Sequence, residues 1–91
     1  MRQDRLDEAE KSYAEASELY SQIHDVLGQA NVLTNLGELH MRRDRLDEAE
    51  RSFVIASELY LQAHWFPAHA HALHILHQLQ TFRDTLNNVE M

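Results

Sequence analysis

Asp4-Arg5-Leu6-Asp7-Glu8-Ala9-Glu10 recurs unchanged as Asp44-Arg45-Leu46-Asp47-Glu48-Ala49-Glu50. Each copy runs on through an aromatic at the same place, Tyr13 or Phe53, to Ser17-Glu18-Leu19-Tyr20 or Ser57-Glu58-Leu59-Tyr60. Self-similarity at one fixed spacing marks a unit that cannot bury its apolar face alone and must stack on copies of itself, the logic of a solenoid. In the first copy Leu6, Ala9, Tyr13, Ala16, Tyr20, Ile23 and Leu27 alternate in steps of three and four, which places them on one helical stripe. The second copy repeats it as Leu46, Ala49, Phe53, Ala56, Tyr60 and Ala63, with small residues admitting a neighbouring helix and aromatics filling the space between.

Working outward, Asp4 and Asp44 read as N-caps, followed by Asp7-Glu8 and Asp47-Glu48 in the electropositive first turn. Between the copies lies a second stripe, Ala30, Leu33, Leu36, Gly37 and His40. Its mid-helix Gly37 costs about 1 kcal/mol against Ala unless close backbone packing uses it, so Gly37 reads as a helix contact. The matching stripe after the second copy is Ala70, Leu73, Leu76, His77 and Gln80, introduced by Pro67 at a first helical position. Thr81-Phe82-Arg83-Asp84-Thr85-Leu86 echoes Met41-Arg42-Arg43-Asp44-Arg45-Leu46 and reads as a further helix start. The expected order is a long helix 4–24, a shorter one 28–42, a long one 45–64, a shorter one 67–81 and a partial helix 84–91, in one domain of residues 1–91.

Composition agrees. With 44% hydrophobic residues, two Gly and one Pro in 91 residues, the chain suits ordered helices and the class is all-α, antiparallel helix-turn-helix repeats stacked as an α-solenoid. A net charge of -7 argues against nucleic acid and against an anionic membrane, which both need a basic stripe. There is no cysteine, no apolar run near the roughly 18 residues that span a bilayer, and no start resembling a signal peptide. A reducing, cytoplasmic location is the expectation.

Leu33-x-x-Leu36-Gly37-x-x-His40, followed by Ala49, Phe53 and Ala56, resembles the tetratricopeptide repeat signature of paired antiparallel helices. Ala9, Tyr13 and Ala16 supply part of the same signature in the first copy, and Leu73 and Leu76 part of a third. The usual repeat is about 34 residues. The 40 between Asp4 and Asp44 resemble the longer repeats of Pins-type spindle-orientation proteins and kinesin light chains. The spacing also suits HEAT or armadillo arrays, but Gly37, Ala49 and Ala56 favour tetratricopeptide repeats. Two positions depart from the pattern. His77 stands where the family has Gly or Ala, and no Gly breaks the turn at Arg42-Arg43-Asp44, which leaves open that helices 28–42 and 45–64 run on as one and favour a swapped dimer.

The resemblance implies a concave groove lined by the first helix of each pair: Asn31, Thr34, Asn35, Glu38, Met41 and Arg42 from one, and His71, His74, Gln78 and Thr81 from the next. It singles out Asn35, whose amide can donate to and accept from the backbone of an extended peptide. A clamp for a terminal carboxylate is not supported, because His71 and Ile75 stand where its cations belong. His64, His69, His71, His74 and His77 crowd the last third, and His71, His74 and His77 have the i, i+3 spacing that lets imidazoles share a face. With no carboxylate or thiolate at matching spacing they are weak metal candidates, and no cofactor is expected. Nothing reads as an enzyme: there is no nucleophile motif and no glycine-rich phosphate loop. The carboxylates read as solvated helix faces, with Asp7/Lys11 and Asp47/Arg51 as exposed i, i+4 pairs.

Differences between the copies carry their own information. Ala14, Glu15, Ser21, Asp25 and Val26 become Val54, Ile55, Leu61, Trp65 and Phe66. These bulky groups either bury under the last helices or meet another chain. The stripe of helix 4–24 lacks a partner on one side, leaving about 500 Å² bare, on the order of 10 kcal/mol at about 25 cal/mol/Å². Association costs about 4–15 kcal/mol. Self-association through Tyr13, Ile55, Leu61, Trp65 and Phe66, as a dimer or head-to-tail stack, is therefore expected. The function expected is a scaffold binding a peptide or helix in its groove, the alternative being a purely structural segment of a longer scaffold.

Overall fold

Three tight reversals set the architecture. In the computed structural model, which describes residues 2–90 and the side chains of residues 5–88, four helices run α1 (Arg2–Gln22), α2 (Val26–Arg42), α3 (Leu46–Gln62) and α4 (Phe66–Glu90). Each of the first three ends in the same way. The residue at His24, Asp44 or His64 turns left-handed, with φ of 60°, 60° and 59°. The next N–H then reaches back to the carbonyl five residues earlier, Asp25 to Tyr20 at 2.9 Å, Arg45 to His40 at 2.8 Å and Trp65 to Tyr60 at 2.8 Å. This six-to-one bond defines a Schellman cap. It is built here without glycine, from Asp and His, residues enriched among those that tolerate positive φ.

Helices 28–42 and 45–64 are thus separate elements joined by a closed turn. Asp44 ends α2 rather than capping α3, because the reversal needs a left-handed residue at that place. The N-cap position of α3 falls on Arg45, with no side-chain cap. The acidic first turn of α3, Asp47 and Glu48, stands as expected. A side-chain cap is made by Asp25 at the start of α2, whose carboxylate accepts from the Gly28 N–H at 2.8 Å. Asp4 lies within α1, and its side chain is outside the described set.

The helices pack in sequence, α1 on α2, α2 on α3 and α3 on α4, into a slab of 47 × 36 × 16 Å. Two clusters form the core. Ala30 and Leu33 meet Ala56, Tyr60 and Ala72, while Ala49 and Phe53 meet Leu76 and Leu79. The shared stripe of the two copies has different fates. Ala49, Phe53 and Ala56 are fully buried because α3 is held from both sides, whereas Ala9, Tyr13 and Ala16 are half-buried against α2. Gly37 is the close contact its position promised: a Cβ there would stand 2.8 Å from Phe53 Cζ and 3.0 Å from both Cε atoms. Gly28 makes a second such approach, its Cβ position being 2.7 Å from Tyr20 Cδ1.

Two expectations are corrected in α4. Its buried residues are Ala72, Leu76 and Leu79, with Ala68 and Ile75 beside them, while Ala70, Leu73, His77 and Gln80 are exposed. The stripe carried over from α2 is the one α2 turns to α3, and α4 has α3 on its other face. The echo at Arg83-Asp84 does not start a separate helix: α4 continues through it to Glu90. A left-handed Asp84 costs about 1–2 kcal/mol. Continuing the helix adds a backbone bond per residue instead, and the Thr81 and Thr85 hydroxyls are accommodated within it, donating to the His77 and Thr81 carbonyls at 2.9 Å. Met91, the last residue of the expected segment 84–91, lies outside the described residues.

Candidate partner-binding surfaces

The repeated acidic run holds the array together before it offers a surface to anything else. Arg43, at the end of α2, places Nη2 2.6 Å from Asp7 and Nη1 3.1 Å from Glu10 of α1, with its side chain only 8% exposed. Forty residues on, Arg83 of α4 takes Asp47, at 2.6 Å, and Glu50 of α3 in the same two-handed grip. Arg45 adds a forked contact to Glu10 at 2.9 and 3.1 Å. Asp7 and Asp47 thus reach arginines across helices instead of serving Lys11 and Arg51, because Arg43 and Arg83 arrive at the helix end where those carboxylates cluster. The signal was in the sequence, since all three partners of each clamp recur at the repeat spacing.

His40 sits beside the first clamp, buried, its Nδ1 without a hydrogen-bond partner, 3.9 Å from Glu10 and 3.7 Å from Glu48. Its counterpart Gln80 donates to Glu50 at 3.4 Å.

The residues expected in a groove fall into four places. Asn31 and Thr34 face α3, where the Tyr60 hydroxyl donates to Asn31 Oδ1 at 2.6 Å and lies 3.2 Å from Thr34 Oγ1. Tyr60 thereby fixes the Asn31 amide. Asn35, Glu38 and Arg42 line a crevice of about 160 Å³ against Leu6, Ala9 and Tyr13 of α1. Met41 and Gln78 line a larger one of about 350 Å³, walled by Leu46, Ile75, Leu79 and Phe82 with Asp44 at its edge. His71 and His74 are exposed on α4.

The two crevices are repeat-equivalent. Leu6, Asn35, Glu38, Leu39 and Arg42 in the first match Leu46, Ile75, Gln78, Leu79 and Phe82 in the second. Shared leucines make both floors. The walls differ, polar and charged in the first and largely apolar in the second. Phe82 was not among the groove residues read from the sequence, and Ile75 was read only as standing at a clamp cation's place. A position-by-position comparison with Asn35 and Arg42 finds them.

The histidine group is dispersed. His69 donates from Nδ1 to the Ser57 carbonyl at 2.8 Å, which ties α4 to α3. His64 occupies the last left-handed turn, edge-on to Phe66 at 6.0 Å between ring centres. His71, His74 and His77 are exposed, and among the described residues no group of three or more His, Cys, Asp or Glu is placed to hold a metal.

The bulky residues special to the second copy do not bury under α4. Ile55, Leu61, Trp65 and Phe66 are 45%, 48%, 52% and 56% exposed, and Val54 is exposed beside them. Of the two fates open to them, internal burial is not the one taken. Tyr13 is half-buried in the first crevice. No helix among the described residues is long and apolar enough to cross a membrane.

Comparison with known proteins adds one match. The family model of the tetratricopeptide repeat matches residues 1–64. A search of curated proteins and a search of solved structures found no match. Repeats of this family are generally non-enzymatic scaffolds that mediate protein–protein interaction. With the family model covering α1, α2 and α3, and with α4 repeating the relation of α2 to the helix before it, the chain belongs to the tetratricopeptide repeat family.

Proposed function

We propose that the chain is a protein-interaction module that holds a peptide or short helix across its two equivalent crevices. One observation carries this reading: the same floor, Leu6 and Leu39 or Leu46 and Leu79, stands open twice, with a polar wall in one copy and an apolar wall in the other. A partner side chain of the size of Leu or Met fits the crevice of about 350 Å³ between Met41, Ile75 and Phe82. Asn35, Glu38 and Arg42 offer donors and acceptors to backbone or polar side chains one repeat away. Asn31, tied to Tyr60, takes no direct part; His71, His74 and Gln78 complete the rim on α4. The absence of cysteine fits a reducing, cytoplasmic setting.

The test is selection of displayed peptides against the intact chain, followed by titration with Asn35→Ala and Phe82→Ala. Peptides with an apolar anchor that lose affinity in both variants, at unchanged helicity, support the module. Failure to enrich any peptide, or binding indifferent to both substitutions, leaves the purely structural segment as the better account.

A second reading, self-association, has its own support. Val54, Ile55, Leu61, Trp65 and Phe66 all stand exposed, large apolar side chains of the kind that mark an interaction surface.

A further inference from the structure

Self-association needs a surface, and the open face of α4 is a poor one for a stack. A helix laid on α4 as α3 lies on α2 would meet the His77 side chain where α3 meets Gly37, a place with no room even for a Cβ. The outer face of α3 is different. Its buried residues, Ala49, Ser52, Phe53, Ala56, Ser57 and Tyr60, all lie on one side. Arg51 and Glu58 lie opposite them, seven residues apart and both exposed, with exposed Val54 and Ile55 flanking the midpoint between them. Asp47, one turn before Arg51, is already taken by Arg83.

We propose that this face is an isologous interface between two copies of the chain, with antiparallel α3 helices and a two-fold axis passing between Val54 and Ile55. It rests on the self-association reading and names its surface. The charge pattern selects both the occupant and the register. Reversing one copy about that midpoint sets each Arg51 against the other chain's Glu58 and each Val54 against Ile55, so the face is complementary to itself, as a two-fold contact requires. An axis at Glu58 would oppose like charges. The midpoint also falls at the centre of α3, whose 17 residues, about 25 Å long, then overlap along their whole length with opposed dipoles. The first copy is an internal control. There the matching positions are Lys11, Ala14, Glu15 and Glu18, which keep the ends of the pattern but set a carboxylate at its centre in place of Ile55. The inference is therefore confined to α3.

Light scattering on a sizing column, from micromolar to millimolar loading, tests it on the full chain. The unmodified chain is expected to move toward twice its 10.7 kDa mass as concentration rises. Glu58→Arg and Arg51→Glu alone each weaken the dimer about tenfold or more by opposing like charges. The double reversal Arg51→Glu/Glu58→Arg restores it, and helicity is unchanged throughout. Because both positions are exposed, loss of fold does not mimic the pattern, and circular dichroism checks that it has not. A dimer indifferent to both single reversals and to Ile55→Glu overturns this surface while leaving self-association standing. A monomer at every concentration overturns both.

Discussion

Adding one methyl group at Gly37 tests the packing most sharply. A Cβ built there stands 2.8 Å from Phe53 Cζ and 3.0 Å from both Cε atoms, where ordinary contact needs about 3.5 Å or more. Phe53 is fully buried and lies in the cluster with Ala49, Leu76 and Leu79, so the ring has little freedom to yield. Overpacking of this kind costs about 1–3 kcal/mol. Against it, Ala gains about 1 kcal/mol over Gly in helix propensity. Gly37→Ala is therefore expected to destabilise by about 1 kcal/mol, a fall in melting temperature of about 5 °C for a chain of this length. The decisive comparison uses Phe53→Leu as background. Its shorter side chain takes away the ring atoms the methyl group meets, so the same Gly37→Ala change should now stabilise by about 1 kcal/mol, a coupling of about 2 kcal/mol in the double-mutant cycle. Urea unfolding followed by circular dichroism supplies all four stabilities. If Gly37→Ala raises stability by the same amount in both backgrounds, Gly37 is an ordinary surface glycine and the close approach of α2 to α3 is wrong.

Other outcomes follow from the joints between helices. Arg43→Met should cost about 1–2 kcal/mol, well short of the 3–5 typical of a broken buried pair, because Asp7 is 58% exposed and Glu10 keeps Arg45. Arg83→Met, at a clamp one-third exposed, should cost less than about 1 kcal/mol, and the reverse order of the two losses in thermal melts would contradict the burial difference. His40→Gln gives the first clamp the donor that Gln80 gives the second and should stabilise by about 0.5–1.5 kcal/mol; a loss in urea unfolding would show that the imidazole packs better than its unpaired Nδ1 suggests. Asp44→Gly relieves a left-handed residue worth about 1–2 kcal/mol while adding about 0.4–1 kcal/mol of freedom to the unfolded chain, so a melting temperature a few degrees higher is expected.

Period, class and the helical stripes were legible because they depend on local spacing. Ala49, Phe53 and Ala56 are buried where the three-four alternation put them, and Gly37 meets Phe53 as a mid-helix glycine should. The turns were not legible. A left-handed reversal was sought as glycine, whereas His24, Asp44 and His64 supply it, three residues whose local sequence gives no sign that tertiary packing will hold them at φ near 60°. The orientation of α4 was missed for a different reason. The Ala70, Leu73, His77 stripe was copied from α2, which is packed on two sides, and sequence alone does not say which side remains when a helix has one neighbour. In the candidate groove the sequence marks Asn35 and Met41 and places Ile75 only where a clamp cation would stand, while Phe82 goes unmarked, since the family pattern marks positions and says little about which of them turn apolar.

Comparison of the copies separates what the scaffold requires from what it is free to present. Asp7, Glu10 and Arg43 recur without change as Asp47, Glu50 and Arg83, and they are the groups that lock α1 to the end of α2 and α3 to α4. Positions that face open crevices or the outer surface of α1 and α3 have diverged: Asn35 to Ile75, Arg42 to Phe82, Glu15 to Ile55 and Ser21 to Leu61. A broken first joint would leave either the Arg43 guanidinium, only 8% exposed, or its carboxylates without their partner, whereas a changed wall leaves the two leucines beneath it undisturbed. Substitutions at the crevice walls should therefore alter what is bound by far more than they alter stability. Those at Arg43 should do the reverse, and the same set of variants, melted and titrated with a selected peptide, reads both axes at once.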